Sequence, residues 1–218
     1  MPDFFRIDIV IDYLPLLLKG TLVTIGLSVV SILLGSLLGL PMALGKMSRR
    51  WFLKYPAVSY INFFRGTPLY VQILIVHFGL VPALLGQTNV YVAAITALTL
   101  NAAAYTAEIY RAGIQSIDKG QTEAAQSLGL TQPQIMRFII LPQAIKRMIP
   151  AFGNEFIVLV KDSSLVALIA AQEIMYWSNA MSRQYMRIWE AYLTAAFIYF
   201  ILTYSLSKLL AYFERKVV

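Results

Sequence analysis

Four polar side chains lie in the middle of long apolar stretches, where they could contact a solute inside a membrane: Arg65, Asn101, Glu155 and Asp162. Counted along their apolar stretches, Arg65 and Asn101 lie about ten residues deep, and Glu155 and Asp162 lie on either side of that depth. That depth marks the midplane of a hydrocarbon core. Ionisable groups there usually face a cavity and mark a substrate path, because each opposes burial in lipid by about 2.5 kcal/mol or more. These residues therefore predict a binding site for a polar or charged solute.

A break in the second apolar stretch follows Arg65 directly. Thr67 is predicted to be the N-cap of a restarted helix, with Pro68 in its first turn. A half-helix N-terminus beside Arg65 is the arrangement that transporters use for an anionic group of the substrate. The alternative is that these charges form structural ion pairs, for example Arg65 with Asp162 or Lys161 with an acid of a neighbouring helix.

The elements that position these residues are membrane helices. Of the 218 residues, 59% are hydrophobic and 13% are charged, whereas soluble domains average about 45–50% apolar and about 25% charged residues. The absence of cysteine excludes thiolate chemistry, and the single histidine, His77, disfavours histidine-based metal or triad chemistry. We therefore expect no catalytic residue and no metal site. The net charge of +7 is interpreted as a topology signal rather than as a nucleic-acid surface.

The apolar stretches predict an all-α transmembrane protein with five spanning helices, forming a single domain over residues 1–218. The predicted spans cover residues 20–45, 56–85, 90–112, 149–171 and 191–213, and a helical loop covers residues 113–147. Lys and Arg concentrate in the loop after span one, in the 113–147 loop and in the C-terminal tail, which are therefore predicted to be cytoplasmic. This orientation places the N-terminus outside and the C-terminus in the cytosol.

Three small residues recur at intervals of four in span one: Ser31, Gly35 and Gly39. Such a stripe lets a second helix approach closely, so we interpret these residues as a helix-packing face rather than as a site of chemistry.

The 113–147 loop is predicted to form two short helices. Asp118 with Gln121 and Thr131 with Gln134 suit capping boxes, and Gly129 suits the position after a helix C-terminus. Two helices joined in this way could be a DNA-binding helix-turn-helix. That interpretation is disfavoured because the loop is tied to membrane spans at both ends and its second helix is mostly apolar. No nucleic-acid partner is expected.

The loop sequence consists of Glu123-Ala124-Ala125, three residues, Gly129, nine residues, Ile139, one residue and Leu141-Pro142. This pattern resembles the signature loop of the permease subunits of bacterial ATP-binding-cassette (ABC) importers. Residues 65–68, 101–111, 153–156 and 161–165 are similar to the polar amino acid uptake branch of that family, so the resemblance covers nearly the whole chain. One small departure is Ser163, where many relatives have Thr.

The resemblance implies a type I ABC importer permease fold in the bacterial cytoplasmic (inner) membrane. It implies that the first loop helix docks on a separate ATPase through four residues: Glu123, Ala124, Ala125 and Gly129. The expected partners are two ATPase subunits, a second and identical permease subunit, and an extracytoplasmic amino-acid-binding protein. No P-loop is present, since the nearest string, which ends at Gly45-Lys46-Met47, has the wrong spacing and no hydroxyl. The chain is therefore not expected to be an enzyme or to hold a cofactor, and ATP and Mg²⁺ are expected on the ATPase.

For such a permease, the two acids of span four exceed what one substrate ammonium needs. We therefore expect a cationic L-amino acid such as arginine, lysine or histidine, with Glu155 and Asp162 on its cationic groups. Asn101 is expected to be a neutral hydrogen-bond partner. Arg65 and the half-helix amides at Thr67 are expected to bind the carboxylate.

Two alternatives stay open at this point. If Lys161 neutralises one of the acids, the site suits a neutral polar amino acid such as glutamine. In the other alternative, the chain alone is an ion-coupled transporter or channel in which Glu155 and Asp162 bind a coupling cation.

Overall fold

The computed structural model describes residues 5–217, and the regular secondary structure of this part of the chain is helical throughout. Its first half contains α1 Ile7–Met47, α2 Trp51–Gly66, α3 Leu69–Ile75, α4 Val81–Leu85 and α5 Val90–Gln115. Its second half contains α6 Lys119–Ser127, α7 Gln132–Ile135, α8 Leu141–Asp162, α9 Ile174–Tyr185 and α10 Ile188–Val217. Short segments of other helical geometry link them: π turns at Val76–Leu80 and Met136–Ile140, and a 3-10 helix at Ser163–Ile169.

Among the described residues, α1, α5 and α10 are long and apolar enough to cross a membrane. A fourth candidate span is the bent pair formed by α2 with Leu69–Leu85, in which the helix direction changes by 110° at the break. The predicted span over residues 56–85 is therefore not a straight helix. The count of five spans stays a prediction, because α8 carries charged side chains and does not qualify on apolarity.

The fourth predicted span, residues 149–171, differs from the observed helix at both ends. α8 begins earlier, because α7 runs through the π turn at Met136–Ile140 directly into it. The α-helical geometry ends at Asp162, where the Ser163 hydroxyl donates a hydrogen bond to the Val160 carbonyl at 2.8 Å. The following 3-10 segment is closed by Ala170, which has a left-handed φ of 64°.

The small-residue stripe of α1 packs against α5. A Cβ atom on Gly35 would lie 2.7 Å from the Ala102 Cβ atom, and one on Gly39 would meet the backbone of Ala103 at 2.8 Å. The Thr106 hydroxyl donates a hydrogen bond to the Gly35 carbonyl at 3.0 Å. Ser31 is fully buried in the same row. The two backbones are therefore in direct contact, as expected for such a stripe.

The largest hydrophobic core surrounds α5 and joins elements that are distant in sequence. It contains Leu27 of α1, Ile73 of α3, Leu98 of α5, Leu159 of α8 and Val166 of the 3-10 segment. The polar residues of α5 and α8 are consequently held on a common scaffold, and α2 joins it through a smaller core in which Ile61 packs with Ala107 of α5.

The loop between α5 and α8 follows its local sequence signals. The Asp118 carboxylate accepts a hydrogen bond from the Gly120 backbone N–H at 2.7 Å, so it caps α6 without forming the predicted box with Gln121. Gly129 has a φ of 80°, and the next amide, that of Leu130, donates to the Ala125 carbonyl at 3.1 Å. This is the left-handed helix ending that favours glycine. The predicted capping box of Thr131 and Gln134 is present at the start of α7.

Candidate translocation site

A groove of about 470 Å³ lies between the end of α2, the second half of α5 and α8. Charged side chains of both signs line it: Arg65, Glu108, Arg147 and Glu155. Two of the five residues predicted to contact the solute, Arg65 and Glu155, therefore line the same groove although ninety residues separate them in sequence. A groove with fixed charges of opposite sign is suited to a zwitterionic or charged solute.

Arg65 is held from one side and open on the other. Its guanidinium carbon lies 5.4 Å from the centre of the Tyr105 ring, within the range of a cation–π interaction. One guanidinium nitrogen lies 4.0 Å from a Glu108 carboxylate oxygen, and 44% of the Arg65 side chain is exposed. The guanidinium is thus oriented by α5 while part of it stays accessible from the groove.

Glu108 is the centre of an ion-pair cluster. The Lys46 ammonium of α1 donates to one carboxylate oxygen at 2.6 Å. The Arg111 guanidinium donates to the other oxygen through two nitrogens, at 2.9 and 2.8 Å. The sequence indicates the Arg111 contact, one helical turn away on α5, but not the contacts to α1 and α2. No sequence signal marks them, because they depend on how three helices meet.

The contact between Arg65 and Glu108 also corrects the predicted depth of the Arg65 charge. The Phe64 carbonyl accepts a weak hydrogen bond from the Asn101 side-chain amide at 3.5 Å, so the end of α2 lies at the level of Asn101. Glu108 is two turns further along α5. The Arg65 side chain therefore carries its charge away from Asn101, toward the C-terminal end of α5.

The acids of α8 form no ion pair within the described residues. Glu155 lines the groove, whereas Asp162 is not among the groove residues and lies two turns, about 10 Å, further along the same helix. Asp162 and Arg65 are both close enough to act electrostatically on Glu155. The structural pairing of Arg65 with Asp162, which was one alternative from the sequence, is replaced by the pairing of Arg65 with Glu108.

Lys161 points to a different cavity. It lines a space of about 510 Å³ bounded by the 3-10 segment, α9 and α10. Its charge acts on Asp162 over distance, without an ion pair in the described part of the chain. The Lys161 ammonium is therefore not a direct partner of Glu155.

The prediction that Thr67 caps the restarted helix is wrong. Pro68 itself is the N-cap of α3, with extended backbone angles, and its carbonyl accepts from the amides of Val71 and Gln72. The Thr67 hydroxyl instead donates back into α2, to the Phe63 carbonyl at 2.8 Å. The physical reason is that Pro68 itself has an extended ψ of 133°, so the helix starts only at Leu69 and Thr67 lies one residue too early to cap it.

Gln72, which sequence reasoning missed, joins the two half-helices. Its side-chain N–H groups donate to the Phe64 carbonyl at 2.8 Å and to the Thr67 hydroxyl at 2.9 Å. Its side-chain oxygen accepts from the Asn101 amide at 2.9 Å. Asn101 is only 6% exposed, so its amide nitrogen braces the break rather than facing the groove.

The predicted ATPase-docking residues lie on the exposed loop between α5 and α8. Glu123 and Ala124 are exposed, whereas Ala125 is 2% exposed and faces inward. Two large apolar side chains project beside them, Leu128 at 81% and Phe138 at 64% exposure. These two residues extend the predicted surface, and exposed apolar area of this kind is typical of a protein interface.

The chain is similar to known transport proteins over nearly its whole length. Residues 31–218 match the family described as binding-protein-dependent transport system inner membrane component. The chain is 41% identical over 210 residues to the arginine transport system permease protein ArtQ of Bacillus subtilis, covering 94% of each chain. It is 35% identical over 202 residues to the putative glutamine transport system permease protein GlnP of Rickettsia typhi, covering 93% of each.

Among solved structures, the chain is similar to the crystal structure of an amino acid ABC transporter with histidines. The identity is 43%, the TM-score is 0.89, and the match covers 95% of this chain and 96% of the other. The helices of this chain therefore follow the same order and overall arrangement as those of that solved transporter.

Proposed function

This chain belongs to the family of inner membrane components of binding-protein-dependent transport systems, and from that premise we propose that it is the permease subunit of an ABC importer of cationic L-amino acids. The observation that carries an amino acid as the substrate is the groove in which Arg65 and Glu155 face the same space. An α-amino acid presents a carboxylate and an ammonium, which match one fixed cation and one fixed acid.

The preference for a cationic side chain rests on the second acid. Glu155 and Asp162 form no ion pair with Arg65 or Lys161, so their charges are available to a solute. Arg65 binds the substrate carboxylate in this proposal, and the two acids bind its ammonium and cationic side chain. Asn101 and Thr67 form hydrogen bonds with Gln72 and in this way fix the geometry of the break between α2 and α3. This differs from the direct contact expected from the sequence. The similarity to the arginine permease supports this substrate class.

A neutral polar amino acid such as glutamine is the second candidate. It is favoured by Lys161, the next residue to Asp162 in sequence, because its positive charge offsets part of the negative potential that Asp162 presents to a solute. The similarity to the putative glutamine permease points in the same direction. The two candidates differ in whether Asp162 and Glu155 both bind cationic groups.

The assembly that we propose contains two identical permease subunits around a two-fold axis and two ATPase subunits. One subunit of this size encloses too little space for an amino acid pathway. The exposed loop docks on the ATPase, which holds ATP and Mg²⁺, through Glu123, Ala124 and Gly129, while the buried Ala125 packs inside the loop. An extracytoplasmic binding protein delivers the solute on the opposite side, and the N-terminus lies outside and the C-terminus in the cytosol.

The substrate assignment is tested with Glu155→Gln in proteoliposomes that contain the permease, its ATPase and its binding protein. Loss of a charge-assisted hydrogen bond of about 1.5–3 kcal/mol predicts an apparent affinity for arginine that is lower by about 10- to 100-fold, with a smaller effect on glutamine. Glu214→Gln, near the end of α10, is the matched control and should transport normally. Equal losses for arginine and glutamine would contradict recognition of a cationic side chain.

Liposomes that contain the permease alone test the alternative of a stand-alone transporter or channel. The permease reconstituted without ATPase should take up no arginine, with or without a sodium or proton gradient. Gradient-driven uptake by the permease alone would identify an ion-coupled transporter instead.

A further inference from the structure

We propose that Tyr105 and Glu108 are positioning residues that hold the Arg65 guanidinium away from Glu155, so that both charges stay available to the substrate. This inference rests on the proposed function, in which Arg65 and Glu155 bind opposite ends of an amino acid. It assigns a role in substrate selection to two residues of α5 for which the sequence indicates only a shared helix face and a contact of Glu108 with Arg111.

The problem that these residues solve is electrostatic. Arg65 and Glu155 line one groove, so their opposite charges attract each other. Arginine has a long, flexible side chain, and in a site of low dielectric an unrestrained guanidinium is drawn to the nearest carboxylate. If Arg65 bound Glu155, the pair would occupy the groove as an internal substitute for the substrate, and both binding charges would be lost.

Tyr105 and Glu108 restrain Arg65 from the same helix, one turn apart. The Tyr105 ring lies under the guanidinium at 5.4 Å from its central carbon, and the Glu108 carboxylate lies 4.0 Å from one of its nitrogens. Both contacts come from α5, whereas Glu155 is on α8. The exposed part of the guanidinium keeps free N–H groups for a carboxylate, which arginine binds through two parallel hydrogen bonds.

Glu108 attracts Arg65 without neutralising it. Its two oxygens already accept hydrogen bonds from Lys46 at 2.6 Å and from Arg111 at 2.8 and 2.9 Å. Arg65, at 4.0 Å, has the longest contact of the three cations. One carboxylate shared by three cations leaves a positive balance, so Arg65 is oriented by Glu108 and still carries charge for an anionic group.

The experiment measures how strongly the site recognises the substrate carboxylate. The permease–ATPase complex is purified in nanodiscs without the binding protein, and the dissociation constants of radiolabelled L-arginine and of agmatine are measured. Agmatine is the decarboxylated analogue, which keeps the amine and the guanidinium. The ratio of the dissociation constant of agmatine to that of L-arginine reports the carboxylate contact. A merely structural loss weakens the binding of both ligands alike and does not change this ratio.

Four single variants and one double variant are compared with wild type. Tyr105→Leu removes the ring and should lower the ratio by about fivefold, the size of a partly exposed cation–π interaction. Tyr105→Phe keeps the ring and should preserve the ratio. Arg65→Ala should abolish the preference for arginine, and Tyr105→Leu added to Arg65→Ala should cause no further change. Tyr110→Leu is the matched control on the same helix, because Tyr110 packs on Phe152, with ring centres 5.0 Å apart, and is not a contact of Arg65.

The outcomes separate this inference from the proposed function. A ratio that falls in Arg65→Ala but is unchanged in Tyr105→Leu would overturn the positioning role alone. A wild-type complex that binds L-glutamine and not L-arginine would overturn the cationic substrate. The positioning role would then be decided by the same variants, with L-glutamine and its decarboxylated analogue 4-aminobutanamide. Glu108→Gln should lower the ratio as well. If that variant does not assemble, the comparison of Tyr105→Leu with Tyr105→Phe decides whether Arg65 is positioned from α5.

Discussion

Substitution of Gly129 tests whether the loop between α5 and α8 transmits ATPase movement. Gly129 has a φ of 80°, and a Cβ atom built on it has no neighbour within 4 Å. A side chain at this position therefore meets no steric obstacle, and any penalty comes from the backbone conformation. A non-glycine residue in the left-handed region costs about 1–2 kcal/mol. A valine costs more than an alanine because its side chain is β-branched, and an asparagine costs less.

This conformational cost predicts a graded series. Because about 1.4 kcal/mol corresponds to a factor of ten, Gly129→Val should weaken binding of the ATPase to the permease by about tenfold or more. Gly129→Ala should weaken it by a smaller factor, and Gly129→Asn should stay near wild type. The assay is titration of the purified ATPase onto detergent-solubilised permease, together with arginine uptake per ATP hydrolysed in proteoliposomes. Binding of arginine to the permease should not change along the series, because Gly129 is not among the residues that line the groove.

Two results would refute this reasoning. If Gly129→Val bound the ATPase and transported like wild type, the loop would not be the docking element. If Gly129→Asn were as defective as Gly129→Val, the left-handed backbone would not be the cause of the defect. A direct contact of the ATPase with Gly129 would then be the explanation.

Two further predictions concern packing and assembly. Gly35→Val should destabilise the permease by about 1–3 kcal/mol, because its Cβ atom would lie 2.7 Å from that of Ala102 and α1 must move away from α5. Gly26→Val on the same helix, where the Cβ atom has no neighbour within 4 Å, is the control, and equal thermal unfolding temperatures for the two variants would contradict the packing argument. Native mass measurement of the complex should give two permease and two ATPase subunits, and a stable one-to-one particle that transports would exclude the proposed dimer.

The break between α2 and α3 shows how one polar cluster can serve both fold and function. The chain changes direction by 110° there, which leaves backbone carbonyls without helical partners in an apolar environment. The Gln72 side chain satisfies the carbonyls of Phe64 and Thr67 from the restarted helix, and Asn101 braces Gln72 from α5. The position of Arg65, one residue after Phe64, is therefore set by a network that itself lies outside the groove.

Much of the fold followed from local sequence signals. The apolar stretches located α1, α5 and α10 because a bilayer-spanning helix needs about 20 apolar residues, a requirement that depends on composition alone. The capping box of Thr131 with Gln134 and the left-handed conformation of Gly129 also depend only on neighbouring residues and were predicted correctly, whereas Asp118 caps α6 without the predicted box with Gln121. The stripe at Gly35 and Gly39 indicated close packing, although not that α5 is the partner.

The charges of the site depended on tertiary structure. Sequence spacing located the backbone of Arg65 at the level of Asn101, but the side chain extends two turns away to Glu108, because long side chains place their charge several ångströms from their own Cα atom. The contacts of Glu108 with Lys46 and Arg65 join three helices, and no periodicity within one helix encodes them. Local propensity determines where helices begin and end, whereas the crossing of α1, α2, α5 and α8 decides which charges meet and which remain available to a solute.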